Sequence, residues 1–158
     1  MRDQKIVSCA AALIILATPA FGFDAKVVGV LDGDTVEVLH DNKPERIRLN
    51  GIDCPEKSQA FGRQAKEFTS DLCFGKIVEV QSHGHDRYGR TIGEIILSNG
   101  KDLNHELVAA GLAWWYKKYA SDNKVLEQLE EKARREKRGL WFDENPTAPW
   151  DYRHRKKH

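Results

Sequence analysis

The chain has 158 residues and sets 25 lysines and arginines against 24 aspartates and glutamates. That length favours one domain with a real core. The near-balance of charge excludes a protein that holds nucleic acid by net positive charge alone.

Residues 1–22 carry Arg2 and Lys5, an apolar run from Ile6 to about Ala17, then Pro19 and small residues. This is the pattern of a secretory leader, with cleavage expected after Gly22 and a periplasmic or extracellular destination. The apolar run is too short, and lacks the stop-transfer flank, for a membrane anchor. A mature chain without Arg2, Lys5 and Asp3 is formally neutral and keeps Cys54 and Cys73. In an oxidising compartment these are a candidate disulfide, closing a loop of about twenty residues and contributing about 3 kcal/mol. The alternative is a pair of buried thiols.

Residues 26–39, KVVGVLDGDTVEVL, give two β-branched runs around a turn at 31–34, and ERIRLNGI at 45–52 alternates as a third strand. Phe61, Ala65, Phe68 and Leu72 line one face of a helix with Ser58 as its cap and Gly75 beyond its end. KIVEVQSHG and TIGEIIL read as strands four and five. DLNHELVAA at 102–110 reads as a short helix capped by Asp102, and 121–138 as a longer one with Val125, Leu129 and Ala133 inward. One α+β domain over 24–143 follows, with an irregular basic tail at 144–158. The element count fits a five-stranded OB-type Greek-key barrel with three packed helices, and on periodicity alone also an α+β sandwich. The last six residues, RHRKKH, read as a solvated end.

Polar residues cluster at strand ends. DGDT at 32–35 places two carboxylates two positions apart, but Val36, Glu37 and Val38 rule out an EF-hand loop. Asp53, at the end of the third strand, is the natural partner for Asp34. Two carboxylates with a backbone carbonyl and waters suit a hard cation such as Ca²⁺, toward which Cys54 could offer only its main-chain oxygen. Arg48 lies five residues before Asp53, so a bulge near Asn50 and Gly51 is needed to bring both to one side. Glu56 follows Pro55 at the start of the next loop. In HDRYGR, 85–90, Arg90 is placed to hydrogen-bond an anionic phosphate with a planar fork, as Arg48 is from the other side. Each of these residues taken singly reads as a solvated turn or surface ion pair. Together they are the parts of a phosphodiesterase.

The motifs DGDT, IRLNGIDCPE, DRYGR, GLAWWY and GLW follow one another with the order and approximate spacing of the secreted thermonucleases, and the chain resembles this staphylococcal-nuclease-like family over about residues 25–143. The resemblance implies the OB-type barrel, Ca²⁺ dependence, and hydrolysis of DNA and RNA to 3′-phosphate products. It implies Asp34, Asp53 and the Cys54 carbonyl as metal ligands, and Arg48, Glu56 and Arg90 as catalytic residues. Cys54 stands where the best-known members have threonine, a change that a backbone ligand tolerates. Arg87, Tyr116 and Tyr119 are candidate substrate-binding residues, with Tyr116 matching after a shift. Trp114, Trp115 and the two tyrosines offer either base-stacking faces or core packing. A monomer acting on DNA and RNA, preferably single-stranded, is expected. The contrasting reading is a non-catalytic OB-type nucleic-acid-binding module, which needs no combination of Arg48, Glu56 and Arg90 with two aspartates.

Overall fold

A computed structural model describes residues 21–155. Most of the expected leader, residues 1–20, lies outside the described residues. Phe21 and Gly22 open the first strand, opposite Ser82 and Gln81.

Strands β1 (Phe21–Asp32), β2 (Thr35–His40) and β3 (Lys43–Leu49) form an antiparallel meander. β5 (Ile77–His85) and β6 (Thr91–Ile96) form a hairpin. β5 pairs antiparallel with β1, and β6 pairs in parallel with β3. The sheet thereby closes into a barrel of order β1-β2-β3-β6-β5. The five barrel strands follow the pattern read from the sequence, and closure replaces the sandwich alternative. Alternate side chains point inward: Val27, Val36, Val38, Ile47, Leu49, Val80 and Ile95 are buried together at the centre.

β3 does not run on to Ile52 through a bulge. Asn50 and Gly51 make a turn, with Gly51 at φ +71°, and the chain leaves the barrel as β4 (Ile52–Asp53). A left-handed conformation there suits glycine, and an added Cβ would also press on Leu126 and Ala120. β4 pairs with β7 (Trp114–Trp115), setting Asp53 opposite Trp114. The turn does what the bulge was expected to do: it brings Asp53 back beside Arg48.

Helix α1 (Gly62–Cys73) starts later than its apolar pattern suggests. Ser58 is not its cap. Phe61 occupies that position in a left-handed conformation without a side-chain bond, because a turn from Glu56 through Gln59 precedes the helix. Ala65, Thr69 and Cys73 form its buried face. α2 (Leu103–Ala109) is capped by Asp102, which accepts from the Asn104 and His105 amides. α3 (Lys124–Arg135) is capped by Asn123 and turns Leu126, Glu130 and Ala133 inward, with Leu129 packed at the core's margin. Val125 is therefore not on the inner stripe and is 50% exposed. Its place is taken by Leu126, in phase at i, i+3, i+4 and i+7 with Leu129, Glu130 and Ala133. Buried Glu130 is matched by the Trp115 amide at 3.1 Å and by Arg134 at 3.4 Å.

Two further corrections concern the cysteines and the tail. Cys54 and Cys73 are free buried thiols, not a disulfide. Cys73 turns back along α1 and donates to the Thr69 carbonyl, while Cys54 lies against the backbone at Gly33. Burial pushes the Cys73 thiol up to about 12 and the Cys54 thiol well above its ordinary value, so both keep their protons. In the tail, a 3₁₀ turn at Gly139–Phe142 leads to α4 (Pro149–Arg155), a helix where irregular chain was expected. Among the described residues no helix is long and apolar enough to cross a membrane.

Candidate active site

Asp34 lies in the β1–β2 turn, Arg48 near the end of β3, and Asp53 at the end of β4. The meander pairs Thr35 with Arg48, which puts the turn beside the arginine. The Asn50–Gly51 reversal then carries Asp53 to the same spot. Asp34 accepts the Cys54 amide at 2.7 Å, fixing β4's exit against the turn.

Arg48 is the centre of this network. Its Nη1 donates to the Leu49 and Ile52 carbonyls at 2.8 and 2.9 Å, and its Nη2 donates to Asp53 Oδ1 at 3.0 Å and lies 3.3 Å from Asp34. Burial alone would pull its pKa down, but the two carboxylates outweigh burial and raise it, so the guanidinium is a permanent charge. With both Nη1 protons spent on backbone and Nη2 on carboxylates, Arg48 is a fixed cation rather than the free fork expected from sequence.

Asp53 is almost fully buried. That burial raises its pKa, offset in part by the Arg153 hydrogen bond and by Arg48. Asp32, a residue the sequence reading left out of the site, is also raised by burial and then by the negative charges of Asp34 and Glu56. Four carboxylates thus share one region: Asp32, Asp34, Asp53 and Glu56.

A second residue escaped the sequence reading. Arg153, in the last turn of α4, donates to Asp53 Oδ2 at 2.8 Å, to Glu56 Oε1 at 2.8 Å, and to Asp53 Oδ1 at 3.3 Å. The only signal for it was the basic run at the chain's end, which composition assigns to solvent. The Glu56 loop is held from behind, because Gln59 accepts the Glu56 amide and donates to the Thr147 carbonyl at 2.6 Å.

Arg90 stands apart from this network. It precedes β6, and Asp86 takes both its backbone amide and its side chain, with Nε at 2.7 Å. Desolvation pulls the Asp86 pKa up, but these bonds, the Tyr88 amide and the Arg90 charge together outweigh it and lower the pKa. Arg90 lines an open groove of about 610 Å³ with Arg46, Glu45 and Tyr88. Arg87 in the same hairpin donates to the Tyr88 hydroxyl. Tyr116 and Tyr119 meet edge to face, 4.9 Å apart, and Tyr116 stacks on Trp150 of α4 at 5.0 Å. Trp115 is core, with its indole donating to the Ala120 carbonyl.

The donors at Asp34 and Asp53 are hard oxygens, and two guanidinium groups have already gathered on Asp53. That chemistry fits a hard divalent cation completed by water. Among the described residues no three His, Cys, Asp or Glu side chains converge as a ready-made cage. Cys54, with its thiol protonated and packed inward, is suited to contribute only backbone.

Residues 46–143 match the family described as Staphylococcal nuclease homologue. An uncharacterized endonuclease of Escherichia coli O157:H7 is 45% identical over 146 residues, covering 91% of this chain and 95% of that protein. A micrococcal nuclease of Shigella flexneri is 38% identical over 154 residues, 91% of this chain and 88% of its own. A staphylococcal-like nuclease of Arabidopsis thaliana is 38% identical over 115 residues, 73% of this chain and 35% of the plant protein. With the closed barrel, this profile match and these relatives, the chain belongs to the staphylococcal nuclease homologues.

Proposed function

We propose that the protein is a nuclease that hydrolyses phosphodiester bonds of DNA and RNA, with calcium as its cofactor. It acts as a monomer, preferably on single strands, in the periplasm or outside the cell after loss of residues 1–22. The observation that carries this reading is the convergence of Asp34, Asp53 and Glu56 on Arg48 and Arg153. A binding module has no use for buried carboxylates that repel a phosphate.

Asp34, Asp53 and the Cys54 carbonyl would hold calcium, which when bound supplies positive charge beside the phosphate oxygens. Glu56 takes the proton of a water molecule as the water oxygen bonds to phosphorus. The P–O5′ bond breaks, the phosphate remains on the 3′ oxygen, and the 5′ oxygen takes up a proton from solvent. Arg48 contributes fixed charge from behind the carboxylates. Arg90, steadied by Asp86, keeps the N–H groups not spent on that carboxylate for the phosphate as negative charge grows there. Arg87, Tyr116 and Tyr119 line the path of the flanking nucleotides, the tyrosines by stacking.

The test is turnover on single-stranded DNA and RNA with Ca²⁺, with EGTA, and in Glu56→Gln. Activity should vanish in EGTA and fall by about 10²–10⁴ in the variant, the usual contribution of a positioned general base. Cleavage that survives chelation, or near-native turnover by a folded Glu56→Gln, would overturn the assignment.

A further inference from the structure

We propose that α4 is a self-docking strap whose Arg153 guanidinium takes the place of a divalent cation at Asp53 and ties down Glu56, so that metal binding requires its release. The proposal rests on reading Asp34 and Asp53 as the carriers of that cation.

Arg153 spans both oxygens of Asp53 and bridges to Glu56. A planar fork on a carboxylate occupies the lone pairs that a cation would need. Two arginines sit on Asp53, and only one is built to leave. Arg48 belongs to a barrel strand, is tied to two backbone carbonyls, and its side chain is 16% exposed. Arg153 lies in the last turn of a seven-residue helix outside the barrel, and its side chain is 40% exposed.

A second set of contacts points the same way. Trp150 stacks on Tyr116 with the two rings 9° from parallel, and meets Trp114 edge-on at 5.6 Å. The strap therefore covers an aromatic face as well as the carboxylates, and one release frees both. Further attachments reach the Glu56 loop: the Tyr152 hydroxyl donates to the Ser58 carbonyl, and Gln59 donates to the Thr147 carbonyl just before the helix. A helix of two turns is not stable by itself in water, so α4 exists by virtue of docking and should melt on release.

The test is calorimetric titration of the full chain with Ca²⁺, in the wild type, in Arg153→Ala, and in Trp150→Ala, which loosens the strap while keeping its charge. If the strap occupies the site about nine-tenths of the time, either variant should bind Ca²⁺ about tenfold more tightly. Trypsin should also cleave the wild type after Arg153 faster with Ca²⁺ than without. Unchanged affinity in both variants, or cleavage slowed by Ca²⁺, overturns the strap. Tightening in Arg153→Ala alone also overturns it, since lost charge would then suffice. Absence of Ca²⁺ binding in all three proteins overturns the metal reading beneath it.

Discussion

Gly62→Ala is a sensitive probe of how the fold positions the site. Gly62 is the first residue of α1 and is buried against the loop that carries Glu56. A Cβ there would stand 2.7 Å from the Glu56 carbonyl carbon, closer still to its oxygen, and 3.1 Å from the Pro55 oxygen. Carbon atoms rest at about 3.5–4.0 Å, so helix and loop must part by about 1 Å. The obstacle is backbone, which cannot rotate aside as a side chain can. Overpacking of this kind costs about 1–3 kcal/mol. The functional cost is larger in proportion, because a misplacement of about 1 Å at a reacting group lowers rates about 10²-fold. Urea unfolding and single-stranded DNA turnover, measured on the same preparation, should therefore separate: a modest fall in stability and a severe fall in kcat. A variant with wild-type stability and wild-type kcat would refute the reasoning, since the contact would then be relieved without disturbing Glu56.

Glu130→Ala should lower stability by about 1–3 kcal/mol in chemical denaturation, because it leaves the buried Trp115 amide without its acceptor; Glu130→Gln, which keeps an acceptor oxygen, should recover most of the loss. Raising the pH should destabilise the protein through Cys73, whose thiol is held neutral up to about 12 in the fold but ionises near 9 when unfolded. The fold retains the proton longer than the unfolded chain, so stability is intact below about pH 9 and falls as pH rises toward 12, by up to about 4 kcal/mol. Cys73→Ala should flatten that alkaline limb of the stability curve, and an equally steep limb in the variant would contradict it.

The barrel strands were legible because each carries period-two alternation bounded by turn residues. The helix phases were less so. Val125 and Leu126 are apolar neighbours in sequence, and the stripe that faces the core holds Leu126 together with Glu130, a charged residue that a polarity reading sets on the outside. Ser58 has the chemistry of a cap but stands four residues before the helix, since the close approach of Gly62 to the Glu56 loop fixes where the helix can begin. The positions of Asp34, Arg48 and Asp53 follow from strand register, which a short antiparallel meander largely dictates. Arg48's loss of a free fork was not legible, because the Leu49 and Ile52 carbonyls that consume its protons belong to a turn invisible in composition. Arg153 was beyond sequence reasoning for a related reason: nothing local to a basic tail says that a buried carboxylate a hundred residues upstream is waiting for it.

The parallel contact of β3 with β6 has a consequence for motion. It holds three registered pairs, Ile47 with Thr91, Arg48 with Ile92 and Leu49 with Gly93, whereas β1 and β5 share six. With the fewest pairs to break, it is the seam along which the cylinder would part first in a sub-global opening. Arg48 is the middle rung of that seam. Amide exchange at the β3–β6 seam should thus run ahead of exchange between β1 and β5, and each such opening would unpin Asn50, whose amide is held by the Gly93 carbonyl, and with it the turn that presents Asp53 to Arg48. Breathing of the scaffold and momentary loss of a competent site are then the same event.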